Sequence, residues 1–245
     1  MNLFDLTGKK AIVTGSCQGL GRSIAEGLAQ AGASVCLMDL NPDCAAVAQE
    51  MSAGGLAFEG VTADLTDRKD LERGFLEAVS KLGGLDILVN NAGMQVRGDA
   101  EEIELSRWDK LVELNITAVF ELSQLAARQM IPQGGGKIIN VASMLSFFGG
   151  FRCSPYAASK GAVAQLTKAC SNEWAGKGIN VNAIAPLNTT IINDPERNRE
   201  ITLRIPAHRW GLPEDLKGTV IYLASGAADY VSGAIIPIDG GYLGR

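Results

Sequence analysis

Seven short apolar runs, separated by longer amphipathic stretches, constrain the fold of this chain more than any other feature of its sequence. Strands that alternate with helices are typical of βαβ units and a parallel sheet. Because the runs are apolar throughout, we expect helices to cover both faces of the sheet. The sequence therefore predicts an α/β fold with a doubly wound parallel sheet of about seven strands. The predicted strands are residues 11–14, 34–39, 56–61, 87–90, 137–142, 180–184 and 235–238.

The amphipathic stretches predict the helices and the domain organisation. Asp67 and Ser106 are candidate helix caps, and Pro213 suits a first helical turn. No proline-rich or serine-rich linker interrupts the sequence, so residues 1–245 are predicted to form a single domain. Residues 186–212 are too long for a connecting turn and are predicted to form an irregular lid loop over a substrate site. The predicted helices are residues 20–31, 42–52, 67–82, 106–131, 155–177 and 213–225.

The composition argues against several classes of protein. The 27 acidic and 22 basic residues give a formal charge of −5 without a cluster of lysine or arginine, which argues against a nucleic-acid partner. The 5 cysteines include no CxxC pair, which argues against a disulfide framework and a metal site. No run approaches the roughly 20 apolar residues of a membrane helix. Residues 1–8 lack the pattern of a signal peptide, so we expect a cytoplasmic protein without membrane contacts.

A glycine-rich turn follows the first predicted strand and leads directly into a helix. Glycine permits the positive φ values of a tight turn and lets the backbone approach a pyrophosphate, whose charge then lies at the positive end of the helix. The alternative interpretation is a plain turn between a strand and a helix. The candidate cofactor-binding residues of this turn are Gly15, Ser16, Gln18, Gly19, Leu20 and Gly21.

Two aspartates follow the next two strands. Asp39 ends the second strand, near the distance from the glycine turn at which a carboxylate binds the adenosine ribose. Its charge would repel the 2′-phosphate of NADP and no basic residue adjoins it, so NAD is the expected cofactor. Asp64 is a candidate to bind the adenine amino group, with Leu65 beside the ring. A solvated turn is the alternative interpretation for both aspartates.

Further motifs follow the glycine turn in a set order. Their types and spacing resemble the short-chain dehydrogenase/reductase family over essentially the whole chain. The resemblance implies a single-domain Rossmann-like fold and an NAD-dependent oxidoreductase that moves a hydride between nicotinamide and a carbonyl or secondary alcohol. The motifs are TGxxxGxG at residues 14–21, NNAG at residues 90–93, Asn115, Ser143, and the YxxxK pair Tyr156 and Lys160.

The motif residues have the chemistry that this reaction needs. Reduction of a carbonyl develops negative charge on oxygen, so a group must donate a proton and another must stabilise the charge. Tyr156 is the expected acid and base, and Lys160, at i+4 on the same helix face, is the cation expected to stabilise its phenolate. Ser143 is expected to donate a hydrogen bond to the substrate oxygen. Asn115 is expected to hold a water for proton exchange with Lys160, or alternatively to be a satisfied core asparagine.

The resemblance also implies contacts to the nicotinamide half of the cofactor. The family has Pro-Gly after the sixth strand, followed by a threonine that holds the nicotinamide amide. Here Pro186 is followed by Leu187, so Thr189 or Thr190 is expected to take over that contact. The contacts implied in this way are Asn91, Ala92, Gly93, Tyr156, Lys160, Pro186 and Thr189.

Two segments, residues 136–146 and 204–211, narrow the expected substrate. They resemble the 2-deoxy-D-gluconate 3-dehydrogenases, also called 2-dehydro-3-deoxy-D-gluconate 5-dehydrogenases, and the gluconate 5-dehydrogenases. The resemblance implies a sugar-acid substrate, whose carboxylate Arg97, Arg152 or Arg209 is a candidate to bind. A reductase of a 3-oxoacyl thioester or steroid, and a catalytically weak NAD-binding protein, are the alternatives. Members of the family are commonly tetramers, which implies a homotetramer.

Overall fold

The computed structural model describes residues 2–187 and 195–244. Seven strands, all paired in parallel, form one sheet in the order β3-β2-β1-β4-β5-β6-β7. The predicted doubly wound parallel sheet is therefore confirmed. The strands are β1 Lys10–Thr14, β2 Ser34–Asp39, β3 Phe58–Thr62, β4 Ile87–Asn90, β5 Gly136–Val141, β6 Ile179–Pro186 and β7 Ile235–Ile238.

Helices pack on both faces of this sheet because successive strand residues point to opposite sides. Within β1, Val13 belongs to the core cluster that includes residues of α1, α2 and α8, whereas Ile12 belongs to the cluster that includes residues of α3, α5 and α6. Both side chains are fully buried. The helices are α1 Gly19–Gln30, α2 Cys44–Ser52, α3 Arg68–Leu82, α4 Leu105–Val112, α5 Ala118–Met130, α6 Ser154–Trp174, α7 Pro195–Arg204 and α8 Lys217–Ala224.

The order of the strands indicates which edge of the sheet is expected to bind a ligand. The chain lays down β1, β2 and β3 towards one side and then crosses over to begin the other half at β4. Doubly wound sheets bind ligands in the crevice at the carboxyl ends of the strands, where the order reverses. The residues that follow β1 and β4 therefore lie at the position expected for a binding site.

The prediction of one continuous α-helix over residues 106–131 was wrong. The structure has α4, then one π-helical turn over Glu113–Thr117, then α5. Ser106 is not the cap, because the helix begins one residue earlier, after Glu104, whose side chain makes no capping bond. The predicted cap Asp67 is confirmed, since its carboxylate accepts hydrogen bonds from the backbone N–H groups of Lys69 and Asp70.

The lid segment is more regular than the sequence predicted. Residues 186–212 were expected to be irregular, but α7 occupies Pro195–Arg204. Only two apolar residues, Ile201 and Leu203, lie within α7, so its sequence carries little helical periodicity. Within residues 2–187 and 195–244, none of the helices has the length and apolar character needed to cross a membrane.

Candidate active site

A cavity of about 1430 Å³ lies at the carboxyl edge of the sheet. Its lining includes Asp39 at the end of β2, Ser143 after β5 and Pro186 at the end of β6. Tyr156 and Lys160 of α6 also line it. The cavity therefore brings most of the predicted cofactor-binding residues together with Ser143, Tyr156 and Lys160. Among the described residues, three predicted site residues do not line it: Ser16, Gly19 and Asn115.

The glycine turn fits a bound pyrophosphate. Gly15 has a φ of +61°, and a Cβ atom there would lie 2.9 Å from the Cα of Ala92. A Cβ atom on Gly21 would lie 2.2 Å from the carbonyl oxygen of Gly15. Within the described residues, no side chain caps the start of α1 and its first turn holds no acidic residue. The free N–H groups of this turn, at the positive end of the helix, are suited to an anion.

The NNAG motif stabilises the glycine turn from the neighbouring strand. The side-chain amide of Asn91 donates hydrogen bonds to the carbonyl oxygens of Thr14 (2.8 Å) and Gly15 (2.9 Å). The hydroxyl of Thr14 accepts from the backbone N–H groups of Asn91 and Ala92, both at 3.0 Å. The hydroxyl of Ser16 donates a hydrogen bond to the carbonyl of Val13 at 2.6 Å and is therefore not directed at the cavity.

The carboxylate of Asp39 is held by two backbone donors. One oxygen accepts from the N–H of Cys17 at 2.9 Å, and the other accepts from the N–H of Asn41 at 3.0 Å. Each carboxylate oxygen has a further lone pair, so the group can still accept hydrogen bonds from a ligand in the cavity. Asp64 and Leu65 also line the cavity, and Asp64 accepts from the backbone N–H of Thr66 at 2.9 Å.

Three polar side chains surround the hydroxyl of Tyr156. Ser143, Gln95 and the guanidinium of Arg97 lie close enough to its hydroxyl to influence the pKa of the phenol. Burial raises the pKa of the phenol, while the interactions with Ser143 and Gln95 and the positive charge of Arg97 lower it. Burial is the largest effect, so the pKa remains above its ordinary value.

Lys160 lies on the same face of α6, with its Nζ atom 5.7 Å from the centre of the Tyr156 ring. The side chain is only 5% exposed, and its ammonium donates a hydrogen bond of 2.6 Å to the carbonyl oxygen of Val141. Burial lowers its pKa to about 8. The amine is therefore mostly charged at neutral pH and close to its titration point.

The end of β5 is tied to α6 through a serine that the sequence did not single out. Ser146 accepts a hydrogen bond from the backbone N–H of Ser143 at 3.3 Å and donates one to the carbonyl of Lys160 at 2.7 Å. The hydroxyl of Ser143 in turn accepts from the N–H of Leu145 at 3.2 Å. These bonds fix the distance between the end of β5 and the face of α6 that carries Tyr156 and Lys160.

Asn115 lies within the π-helical turn and is fully buried. Its amide pairs with the backbone of Met94, accepting from the N–H and donating to the carbonyl, both at 2.9 Å. It also donates to the hydroxyl of Ser159 at 3.0 Å. Both polar atoms of the side chain thus have protein partners, which anchor the loop after β4 to α6. π-helical turns occur frequently at functional sites.

Residues 9–200 match the model of the short chain dehydrogenase family. The chain belongs to that family. The recognition made from the motifs is therefore confirmed, and the protein is an oxidoreductase that uses a nicotinamide cofactor.

Individual short-chain dehydrogenases resemble this one over their full length. The 2-dehydro-3-deoxy-D-gluconate 5-dehydrogenase of Dickeya dadantii is 48% identical over 100% of this chain and 99% of its own. The gluconate 5-dehydrogenase of Gluconobacter oxydans is 38% identical over 98% of this chain and 96% of its own. A crystal structure of a gluconate 5-dehydrogenase from Burkholderia cenocepacia, in complex with NADP and tartrate, is 37% identical with a TM-score of 0.95, covering 100% of this chain and 98% of that one.

The three candidate arginines occupy different places in this short-chain dehydrogenase. Arg97 lines the cavity, and its Nε donates to the side-chain oxygen of Gln95 at 3.1 Å. Arg152 also lines the cavity and pairs with Asp99 at 3.1 Å. Arg209 instead forms two hydrogen bonds, of 2.6 and 3.0 Å, with Asp215, whose pKa these bonds lower to about 2.

Sequence reasoning missed several residues that line the cavity, because no motif contains them. Gln95 lies two residues after NNAG, a position at which the motif gives no information about side-chain chemistry. α7 brings Arg204 to the cavity, and this segment was not predicted to be helical. Thr189 and Thr190, the predicted nicotinamide contacts, lie outside the described residues. The further lining residues include Gln95, Lys110, Phe148, Glu200, Arg204 and Tyr242.

Leu187, which stands where the family has the glycine of Pro-Gly, lines the cavity beside Pro186. Its N–H donates to the carbonyl of Ile238 at 3.0 Å, and its carbonyl accepts from the N–H of Gly211 at 3.0 Å. The backbone of Leu187 is thus anchored to β7 on one side and to Gly211 on the other.

Proposed function

We propose that this protein transfers a hydride between NAD and a secondary alcohol or ketone of a sugar acid, of the gluconate or 2-dehydro-3-deoxy-D-gluconate type. The observation that carries the proposal is the grouping of Ser143, Tyr156 and Lys160 in the same cavity as the glycine turn, with the Lys160 Nζ atom 5.7 Å from the centre of the Tyr156 ring. Full-length relatives named for these two activities support the choice of substrate.

The residues of the cavity divide into an adenosine half and a nicotinamide half. Gly15, Gly21 and the start of α1 would hold the pyrophosphate, and Asp39 would accept from the adenosine ribose. The remaining contacts would come from Asp64, Leu65, Asn91, Ala92, Gly93, Lys160 and Pro186. The bound cofactor supplies a hydride acceptor in oxidation and a hydride donor in reduction.

The protein's own residues would manage the proton and the charge on oxygen. In oxidation Tyr156, as the phenolate, takes the proton of the substrate hydroxyl, and in reduction the phenol returns it. Ser143 donates a hydrogen bond to the substrate oxygen and stabilises the charge that develops there. The ammonium of Lys160 favours the phenolate, and it has three N–H donors, of which Val141 uses one. The others are left for the cofactor ribose.

Asn115 would act as a positioning residue in this reaction. Its amide is already bonded to Met94 and Ser159, so its side chain supports the loop after β4 and not a bound water. This is the alternative interpretation that its sequence context left open.

The choice of NAD over NADP rests on Asp39. Its carboxylate lies at the end of β2, where the adenosine ribose would lie, and two backbone N–H groups hold it in place. A 2′-phosphate there would face this negative charge. The Burkholderia cenocepacia relative was crystallised with NADP, so the two coenzymes have to be compared directly in this protein.

Arg97 is the arginine best placed to bind the substrate carboxylate. It lines the cavity and lies near enough to Tyr156 to affect the phenol, whereas Arg209 is paired with Asp215. A guanidinium matches the geometry of a carboxylate. In this arrangement the acid group and the reacting carbon lie on the same side of the cavity.

We also propose that the protein assembles as a homotetramer. Phe120 and Ile131, on and just after α5, are 45% and 38% exposed, so both can pack against another subunit. Light scattering should give four times the mass of the chain, and a monomeric mass would contradict the proposal.

The test of the function is the rate of NADH formation, followed at 340 nm, with gluconate, 2-dehydro-3-deoxy-D-gluconate and neutral polyols. Each assay is repeated with NADP and with the variant Tyr156→Phe. We expect NADH formation with a sugar acid and a loss of at least about a hundredfold in the variant. Tyr242→Phe, which removes another hydroxyl at the cavity, is the matched control. Tight NAD binding without turnover of any substrate would favour the alternative of a cofactor-binding protein.

A further inference from the structure

Ser146 bridges the segment after β5 and α6, although it does not line the cavity. Its hydroxyl donates a hydrogen bond of 2.7 Å to the carbonyl oxygen of Lys160 and accepts one of 3.3 Å from the backbone N–H of Ser143. A serine hydroxyl has a single proton, and this proton is engaged on α6. Any influence of Ser146 on a ligand therefore passes through Ser143 and Lys160.

The segment of residues 141–146 holds Lys160 at two points. Val141 accepts a hydrogen bond from the ammonium at 2.6 Å, and Ser146 donates one to the backbone carbonyl. The first contact fixes the tip of the side chain, and the second fixes the backbone from which the side chain extends. Because both contacts come from one short segment, Lys160 keeps a fixed place relative to Ser143, which lies within that segment.

The same segment orients the hydroxyl of Ser143. Residues Met144–Ser146 form a 3-10 turn, and the Ser143 hydroxyl accepts a hydrogen bond from the N–H of Leu145 at 3.2 Å. Accepting this bond does not use the hydroxyl proton, so the serine can still donate to a substrate oxygen. The Ser146 hydroxyl closes the turn by accepting from the N–H of Ser143. The direction of the Ser143 hydroxyl thus depends on Ser146.

We propose that Ser146 is a positioning residue that holds the Ser143 hydroxyl in a fixed place relative to Tyr156 and Lys160. The inference rests on the proposed function, because this place matters only if Ser143 donates to the substrate oxygen. A donor that is in position before the reaction stabilises developing charge without reorganisation, and a misplacement of about 1 Å can cost about a hundredfold in rate. Loss of the Ser146 hydroxyl should therefore lower kcat and leave the binding of NAD unchanged.

The first experiment compares Ser146→Ala with Ser146→Thr. Alanine removes both hydrogen bonds, whereas threonine keeps a hydroxyl on the same carbon. We expect kcat for a sugar acid to fall about tenfold in Ser146→Ala and to stay within about twofold of the parent in Ser146→Thr. The dissociation constant for NAD, measured by fluorescence titration, should match the parent in both variants. An unchanged kcat in Ser146→Ala overturns the proposal.

The chain offers a matched control in Ser232. Its hydroxyl also accepts from a backbone N–H, that of Val181, at 3.3 Å, and it is hydrogen-bonded to Ser171 of α6 at 2.7 Å. Ser232 does not line the cavity. Thermal unfolding should show similar losses of stability in Ser232→Ala and Ser146→Ala, because each loses a hydroxyl that joins α6 to a neighbouring segment. An equal loss of kcat in Ser232→Ala would trace the effect to stability and overturn the proposal.

A double-mutant cycle with Ser143 tests the route of the effect. If Ser146 acts by holding Ser143, its hydroxyl has nothing left to position once the Ser143 hydroxyl is removed. Ser146→Ala should therefore cost about tenfold in the parent and almost nothing further in Ser143→Ala. A merely structural defect would lower kcat by the same factor in both backgrounds, and that result would overturn the proposal.

Hydrogen exchange of the backbone tests the anchoring without any substrate. The N–H groups of Ser143 and Leu145 are bonded to the hydroxyls of Ser146 and Ser143. Their exchange should be at least about tenfold faster in Ser146→Ala and close to the parent in Ser146→Thr and Ser232→Ala. An active parent with unchanged exchange in Ser146→Ala would overturn this inference alone. A parent that oxidises no sugar acid would overturn the proposed function, and the positioning role with it.

Discussion

The ammonium of Lys160 is hydrogen-bonded at 2.6 Å to the carbonyl oxygen of Val141, the last residue of β5. This bond joins α6 to the strand that Ser143 follows. It also gives a buried charge a partner, since a buried ammonium without one would be very costly. The position of the amine beneath Tyr156 is thus fixed by the sheet before any ligand binds.

Burial of Lys160 should make the stability of the protein depend on pH in a defined direction. Its pKa falls from 10.5 to about 8 on folding, so between these values the unfolded state binds more protons than the folded state. The free energy of unfolding should therefore rise with pH from about 8 to 10.5, by up to about 3 kcal/mol relative to Lys160→Met. Urea unfolding of the two proteins at several pH values measures this difference. Lys168→Met, an exposed lysine on the same helix, should show no such change, and parallel curves for parent and Lys160→Met would contradict the expectation.

Replacement of Asp39 should change the preference between the two coenzymes. In Asp39→Asn we expect the affinity for NAD to fall by about 10- to 100-fold, because a charge-assisted hydrogen bond to the ribose is lost, and the affinity for NADP to rise. Fluorescence titration with each coenzyme gives both dissociation constants. Asp43→Asn, an exposed carboxylate four residues later, is the control and should leave them unchanged. Equal losses for NAD and NADP would mean that Asp39 acts only on the fold of the turn.

Removal of the guanidinium of Arg97 should weaken the binding of acidic substrates specifically. We expect Arg97→Met to raise the KM for gluconate by about 10- to 100-fold, with a smaller effect on a neutral polyol, because only the acid loses a charged partner. Steady-state kinetics with both substrates provide the comparison. Arg152→Met tests the alternative site. If the KM for gluconate rises selectively in Arg152→Met and not in Arg97→Met, the substrate carboxylate binds at Arg152.

Two glycines should respond in opposite ways to a single methyl group. In Gly21→Ala the new Cβ would lie 2.2 Å from the carbonyl oxygen of Gly15, so the turn must shift and NAD binding should fall by at least about tenfold. In Gly218→Ala, on α8, the Cβ would meet nothing within 4 Å, and the helix should gain about 0.5 to 1 kcal/mol. Calorimetric titration with NAD and thermal unfolding test the two expectations. Unchanged NAD affinity in Gly21→Ala would show that the turn does not contact the cofactor.

The sequence was sufficient to predict the structural features that depend on residues close together in the chain. The strands could be predicted because buried parallel strands require unbroken apolar runs, and the shared face of Tyr156 and Lys160 follows from their spacing of four in a helix. The glycine turn was predictable because few residues tolerate the φ of Gly15. The cap at Asp67 lies within three residues of the N–H groups it binds. Each of these features involves short separations along the chain.

Tertiary structure decided the features that depend on distant contacts or on burial. Asn91 hydrogen-bonds the carbonyl of Thr14 across 77 positions, and Asp39 reaches the N–H of Cys17 across 22 positions. The π-helical turn lies where Asn115 is bonded to Met94 and Ser159. The hydrophobic periodicity of the sequence does not indicate these contacts. The lowered pKa of Lys160 arises from burial by the surrounding elements. Residues close together in the chain thus specify the strands, the glycine turn and the order of the motifs. The hydrogen bond of Lys160 to Val141 and the burial that shifts the pKa values of Tyr156 and Lys160 arise only when distant segments pack together.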